Sequence, residues 1–252
     1  MSCRAAIESL RARIDTIQSG RRRTRSALAF GLAALDDRLP EGGLQRGVLH
    51  EIAGGGRGGG DGPAAALFAA GIAARTRGKV LWCLSRPDLF APALAQVGLA
   101  PDRVIYVEAR DEKTVLAAME EGLAHGGPAV VVGEVARLSM TASRRLNLAA
   151  EKTGCLGVCL RRWSRPNDAG EFGRPTAAAT RWRISALAAA PLPVPGVGRA
   201  RWRVELVRSR GGGTFDLELE ACDETGRLAV LSELSDRSAA PPAARPKRRA
   251  SA

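Results

Sequence analysis

The segment "HEIAGGGRGGGDGPAAALFAAGIAARTRGKVLWCL", from His50 to Leu84, constrains the fold more than any other part of the chain. It predicts an apolar strand, a glycine-rich loop, a long alanine-rich helix and a second strand. This is the layout of a phosphate-binding loop, in which backbone N–H groups at a helix N-terminus face an anion. The segment therefore predicts a sheet with helices packed on it.

The same alternation of strand and helix continues along the chain. Apolar strands are predicted at 47–52, 79–84, 103–108, 129–133 and 156–160, and helices at about 64–76, 88–97, 112–125 and 141–153. Such alternation favours an α/β fold with a mostly parallel central sheet flanked by helices. After a polar loop at 161–180, strands at 181–187, 201–209, 214–222 and 227–234 predict an antiparallel C-terminal extension of the sheet.

The chain divides into three parts by composition. Residues 1–27 contain an amphipathic helix (5–19) and a basic linker, and residues 28–234 form the core. Residues 235–252 are rich in proline, alanine and arginine, which is typical of a disordered basic tail.

Charge and cysteine content restrict the class of protein. The formal net charge of +12 favours an acidic or polyanionic partner, although a coding bias toward arginine explains it equally well. Five cysteines without paired metal spacing predict no metal site and a reducing compartment. No apolar run approaches the ~18 residues of a membrane span, so we expect a soluble cytoplasmic protein.

The glycine-rich loop lacks the side chains that bind a magnesium nucleotide. A working loop needs a lysine for the phosphates and a serine or threonine for Mg²⁺. This chain has Gly62-Pro63-Ala64 at the start of the predicted helix and no lysine before Lys79. We therefore interpret Gly54, Gly62, Pro63 and Ala64 as a degenerate phosphate loop that binds no cofactor, in which Arg57 is the sole cation.

Two other positions of a nucleotide site are also altered. The strand 129–133 ends at Gly133 rather than at a carboxylate for magnesium, and strand alternation places Glu134 on the other face. After the strand 79–84 stands Arg86, and Asp88 is predicted to cap the next helix. These changes predict that the chain is not an enzyme and has no catalytic residue.

The order of these elements resembles the core of the RecA recombinase. Five segments, "GGLQRGVLHE", "VVGEV", "SRRLNLAAEKTG", "TRWRISA" and "RWRVELVRSRGG", resemble more specifically the RecA-like ImuA family over residues 28–234. The resemblance implies an accessory role in SOS-induced translesion synthesis, and the altered loop and strand positions predict a pseudo-ATPase. It implies as partners an ImuB-like protein, RecA or its filament and an error-prone DNA polymerase, near the nucleoid after DNA damage.

The resemblance also assigns candidate DNA or partner contacts. Arg161 and Arg162 replace the Asn-Gln pair that precedes the second DNA-binding loop of RecA, and Arg165 and Arg174 lie in the corresponding loop of this chain. We expect weak DNA binding there and leave self-association open.

Two other functions stay open at this point. One is a cell-division inhibitor like SulA, to which the ImuA family is related. The other is an unusual DNA-stimulated ATPase that uses Arg57 or a residue of a neighbouring subunit.

A structural role explains both the adjacent residues His50 and Glu51 and the tryptophans that stand beside arginines. His50 and Glu51 are adjacent on a strand and point to opposite faces, so a structural role is favoured over catalysis. Trp182 and Trp202 alternate with arginines, which predicts core tryptophans beneath an arginine-bearing outer face.

Overall fold

A computed structural model describes residues 26–56, 59–163, 166–189 and 195–231. The predicted N-terminal helix (5–19), the basic linker (21–25) and the tail (235–252) lie outside these residues. So do Arg57 and Arg165.

A nine-stranded sheet forms the centre of the described domain. Its strands are β3 (Leu49–Gly54), β4 (Val80–Leu84), β5 (Val104–Glu108), β6 (Val130–Val135), β7 (Leu156–Arg161), β8 (Thr180–Leu187), β9 (Arg201–Ser209), β10 (Phe215–Glu220) and β11 (Ala229–Val230). Their order is β11-β10-β9-β8-β3-β7-β6-β4-β5. The pairs from β8 to β5 are parallel and the pairs from β8 to β11 are antiparallel, which confirms the predicted fold class.

Two short strands, five α-helices and three 3-10 helices (Pro40–Gly42, Pro101–Arg103 and Pro166–Gly173) complete the secondary structure of the described residues. The short strands pair with each other and are β1 (Ala27–Leu28) and β2 (Leu44–Gln45). The helices are α1 (Ala33–Asp36), α2 (Asp61–Ala74), α3 (Ala91–Gln96), α4 (Glu112–His125) and α5 (Met140–Thr153).

Local sequence explains where the two outer helices begin and end. The Asp111 side chain accepts a hydrogen bond from the Thr114 amide at the start of α4. Ser139 caps α5 in the same way, accepting a hydrogen bond from the Ala142 amide. Both helices end at a glycine with positive φ, Gly126 and Gly154, where a left-handed conformation closes the helix.

The helices cover both faces of the sheet. Helix α2 is buried nearly all round and packs in a cluster with Trp82 and Trp182, whereas α4 and α5 cover the opposite face through residues such as Met119 and Leu146. Cys83 and Cys159 are buried in the second cluster, where burial raises the pKa of each thiol to about 12. They are core residues. Within the described ranges, no helix is both long and apolar enough to span a bilayer.

Candidate functional site

The glycine-rich loop joins β3 to α2 at the carboxyl end of the central strands. Helix α2 begins at Asp61, three residues before the predicted start, so Gly62, Pro63 and Ala64 lie in its first turn. Counted from Gly54, the phosphate-loop spacing puts Gly60 at the lysine position and Asp61 at the hydroxyl position. This register also has no lysine and no hydroxyl, and Pro63 carries no N–H for an anion.

The Asp61 carboxylate occupies the place where the loop meets the helix. It is buried, and its Oδ1 accepts a hydrogen bond of 2.9 Å from the Ala186 amide at the end of β8. Its Oδ2 lies 3.0 Å from the position that a Cβ atom would take on Gly55. A carboxylate in the first turn of a helix already compensates the helix dipole. A phosphate that entered this loop would meet that negative charge.

Gly54 has a packing role in this loop. A Cβ atom on Gly54 would lie 2.8 Å from the backbone carbonyl carbon of Asp61. At Gly62, by contrast, no atom lies within 4 Å of an added Cβ. Close approach of strand and helix, rather than phosphate binding, therefore explains why position 54 is a glycine.

The carboxylate of β6 lies on the side of the sheet that α2 covers. A Cβ atom on Gly133 would collide with the Met119 side chain of α4, so Gly133 faces away from α2. Glu134 faces the α2 side, where its Oε1 accepts a hydrogen bond of 2.8 Å from Trp82 Nε1. The expectation that this strand offers no carboxylate on the nucleotide side was therefore wrong. We expected position 133 to face the nucleotide side of the sheet. The alternation of side chains along β6 is shifted by one residue, so position 134 faces that side instead.

Arg162 neutralises that carboxylate together with a second one. One guanidinium nitrogen of Arg162 donates to Glu134 Oε2 and Asp88 Oδ1, each at 2.7 Å. Its other terminal nitrogen donates to Asp88 Oδ2 at 3.0 Å. Helix α3 begins later, at Ala91, without a side-chain cap, so the prediction that Asp88 caps it was wrong.

This pairing shifts the pKa values of Asp88 and Arg162 so that both groups stay charged. The hydrogen bond from Arg162 lowers the pKa of Asp88. Partial burial alone would lower the pKa of Arg162, but the hydrogen bonds and charges of Asp88 and Glu134 outweigh burial and raise that pKa. Each oxygen of Glu134 thus accepts one hydrogen bond, from Trp82 and from Arg162.

A small polar crevice opens beside this ion pair, at the carboxyl ends of β4 and β6. Its volume is about 160 Å³, and it is lined by Ser85, Arg86, Glu112, Glu134, Val135, Ala136 and Arg162. The Glu112 carboxylate accepts hydrogen bonds from the amides of Ala136 and Arg137. In the part of the chain that the structure describes, no group of three or more potential metal ligands lies together.

Arg161 lies inside the protein and not on its surface. Its guanidinium donates to Glu51 Oε1 at 2.7 Å and to the carbonyl of Ala136. Glu51 Oε2 accepts from Arg181 at 3.0 Å and from the Thr176 hydroxyl at 2.8 Å. The expectation that Arg161 contacts DNA or a partner must be corrected, because its charge is fully buried against Glu51.

His50 points to the opposite face from Glu51, as strand alternation predicts. Its Nε2–H donates to the Gln45 carbonyl, and its Nδ1 accepts from the Thr180 hydroxyl at 2.7 Å. The same hydroxyl accepts a hydrogen bond from Trp182 Nε1. Burial lowers the pKa of His50 to about 4, so the imidazole is neutral and structural.

The segment after β7 packs back onto the sheet. Phe172 is buried, and the guanidinium carbons of Arg181 and Arg183 lie 5.1 and 5.9 Å from the centre of its ring. Arg174 is exposed and pairs with Glu171 at 3.2 Å. Of the four candidate contacts, Arg174 is exposed, Arg162 is half-buried and paired with Asp88 and Glu134, and Arg161 is buried; Arg165 lies outside the described residues.

The tryptophans of the C-terminal strands are in the core, as predicted. Trp182 and Trp202 are buried. Arg181 is also buried, against Glu51, contrary to the prediction, whereas Arg183, Arg201 and Arg203 are at least partly exposed. Those arginines pair with glutamates: Arg203 with Glu218 at 2.9 Å, and Arg183 with Glu205 at 3.6 Å. The outer face of β9 and β10 is therefore of mixed charge, which the alternation within a single strand could not reveal.

Comparison with known proteins agrees with this description. The domain is an α/β protein with a RecA-like core: the crystal structure of the RadB recombinase matches 81% of this chain and 100% of its own, with a TM-score of 0.57 and 18% identity. No protein-family model matches. Protein ImuA of Caulobacter vibrioides is 38% identical to this chain over 234 residues. The same values hold for strain NA1000 / CB15N and for strain ATCC 19089 / CIP 103742 / CB 15. That alignment covers 87% of this chain and 95% of the relative. The chain belongs to the ImuA family.

Proposed function

We propose that this chain is a non-catalytic, RecA-like accessory protein of DNA-damage-induced translesion synthesis. In this proposal it acts with an ImuB-like protein, with RecA or its filament and with an error-prone DNA polymerase. It uses the RecA-like scaffold to bring the polymerase to damaged DNA. Membership of the ImuA family and the RecA-like fold support the accessory role.

The observation that carries the non-catalytic part is the bridge from Arg162 to Asp88 and Glu134. A magnesium nucleotide at this edge of the sheet would have to remove Glu134 from two donors. Displacing Arg162 would leave the buried Glu134 carboxylate without its charged partner, which is unfavourable. The Asp61 carboxylate adds a second opposing charge in the loop itself.

The test is made in the cell that carries the gene. We expect that deletion lowers the frequency of ultraviolet-induced mutations, because the polymerase is no longer delivered, and that the wild-type chain restores it. A Gly62→Ala chain, altered only in the degenerate loop, should restore it equally. Normal induced mutagenesis in the deletion strain would overturn the proposal.

Expression level provides the control for the division-inhibitor alternative. Cells that overproduce the chain should keep a normal length if the accessory role is right. Filamentous growth on overproduction would instead favour an inhibitor of division.

The ATPase alternative keeps one structural argument. Glu134 does lie on the α2 side of the sheet, where a magnesium ligand would be needed. Arg162 would have to release this carboxylate before it could act, and the crevice beside the pair is small.

A further inference from the structure

The two edges of the nine-stranded sheet differ in how far they are protected. At one edge β11 has only two residues, so it offers little backbone to another strand. At the other edge β5 contains neither lysine nor proline, and its side chains Ile105 and Tyr106 are 49% and 38% exposed. Apolar edge strands pair with other strands unless charge, proline or a covering segment prevents it. The edge at β5 is therefore suited to receive a further strand.

The hydrogen bonds between β5 and β4 determine which backbone groups of β5 point outward. The Ala109 amide donates to the Leu84 carbonyl at 2.8 Å, in line with the parallel register of the two strands. Alternate residues of a strand direct their amide and carbonyl groups to opposite sides, so every second residue counted back from Ala109 bonds to β4. The groups that point away from β4 are those of Val104, Tyr106 and Glu108. Among the described residues, no strand lies on that side.

We propose that β5 pairs in antiparallel orientation with β5 of a second copy of this chain. Tyr106 then pairs with Tyr106 of the second copy, and Val104 pairs with Glu108 of the second copy. This register places every outward-pointing amide and carbonyl group of β5 in the paired hydrogen bonds of an antiparallel ladder. The inference is independent of the proposed function.

A two-fold axis perpendicular to the sheet relates the copies, so paired residues must lie on the same face. Val104 packs against the cluster of α2, and strand alternation puts Tyr106 and Glu108 on that face as well. The register thus satisfies the symmetry of two identical strands that meet at identical edges.

The same register covers the exposed apolar side chains on both faces. On the α2 side the Tyr106 rings of the two copies lie opposite each other. On the other side Ile105 lies opposite Val107 of the second copy, and Val107 already packs against the cluster beneath α4. Aromatic and β-branched cross-strand pairs stabilise antiparallel sheets.

Charges at the ends of β5 favour this register over its neighbours. Asp102 and Arg110 are both exposed, and each lies beside the opposite charge of the second copy. Sliding the second copy in one direction brings Asp102 against Glu108 of the second copy, which is a repulsive pair. Sliding it in the other direction puts Glu108 against Tyr106. Arg110 also contacts Asp111 of its own chain, but at 3.7 Å and in solvent, so this contact does not prevent a second one.

The contact is isologous, so it closes after two copies. It joins the sheets of the two copies into one continuous sheet. Because the central strands of the copies run in opposite directions, the two glycine-rich loops face opposite ends of the dimer. We expect a dimer, and no longer assembly, through this edge.

Sedimentation of the full chain over a range of micromolar concentrations measures the oligomeric state, and we expect the wild type to dimerise. Tyr106→Pro removes an amide that points away from β4, so the fold should persist while the dimer is lost. Ile105→Lys adds a charge to the apolar edge without altering the backbone, and it should also give a monomer. Thermal unfolding confirms that each variant is folded.

Charge reversal tests whether the partner is a second copy. Arg110→Glu should weaken dimerisation about tenfold, because it places like charges together at both ends of the strand pair. Asp102→Lys/Arg110→Glu should restore it. Within one chain these positions lie at opposite ends of β5, so the rescue requires a second copy. Arg144→Glu, at an exposed position of α5, is the matched control and should leave the dimer unchanged.

Three results would overturn the proposal. The first is a wild-type chain that sediments as a monomer at every concentration, as it would if residues 1–25 of the same chain occupied the edge. The second is a dimer that survives both Tyr106→Pro and Ile105→Lys, because it would form elsewhere. The third is a dimer that these variants abolish but that the double charge reversal does not rescue, because the edge would then receive a different strand or register.

Discussion

At the scale of single residues, internal ion pairs decide which charges this protein can offer to a ligand. Arg162 connects Asp88 with Glu134, and Arg161 lies buried against Glu51. Each pair joins residues far apart in the chain, such as 88 and 162. Arg161 and Arg162, which the sequence presents as candidate contacts for a ligand, therefore already form ion pairs with carboxylates of the same chain.

The buried imidazole of His50 makes stability depend on pH. Burial lowers its folded-state pKa to about 4 from an ordinary value of 6.5. Between these two pH values, His50 is protonated in the unfolded chain but neutral in the folded chain. Stability is therefore full above pH 6.5 and falls as the pH drops toward 4, by a total on the order of 3 kcal/mol.

Urea unfolding at several pH values measures this slope. His50→Gln should flatten the dependence between pH 6.5 and 4, whereas His125→Gln, at an exposed position, should leave it as in the wild type. If His50→Gln retains the wild-type slope, the buried imidazole is not its source.

At the scale of elements, the strand–loop–helix unit is held together by close packing. Gly54→Ala places a Cβ atom 2.8 Å from the backbone of Asp61 and should destabilise the domain by about 1–3 kcal/mol. Gly62→Ala meets no atom within 4 Å, and it should stabilise α2 by about 0.5–1 kcal/mol because alanine favours helix.

Urea midpoints of the two variants provide the measurement, and each glycine serves as the control for the other. Effects of the same sign and size would show that the loop is not packed against the helix as described.

Element types were predictable from the sequence because each depends on local periodicity. The strands 79–84 and 156–160 and the helix 112–125 all lie within one residue of β4, β7 and α4. The side of the sheet on which the Glu134 side chain lies was not predictable. It depends on which residue of β6 is the last to pack in the apolar core. Nor could local sequence show that Asp88 meets Arg162 rather than capping α3.

At the scale of the whole molecule, the chain keeps a RecA-like sheet, but the charges around the loop are opposite to those that a magnesium nucleotide would need. Asp61 lies where an anion would bind, and Arg162 lies against the carboxylate that a cation would need. The changes come from three separate segments of the chain that the fold brings to one edge of the sheet. Together they favour retention of the scaffold without nucleotide chemistry.

The binding and hydrolysis of ATP by the purified full chain test this claim most directly. With magnesium and single-stranded DNA present, we predict no calorimetric heat of ATP binding at millimolar nucleotide. We also predict no release of phosphate above that of a protein-free control. DNA-stimulated hydrolysis that is lost in Arg57→Ala, but retained in the control Arg77→Ala, would contradict the account.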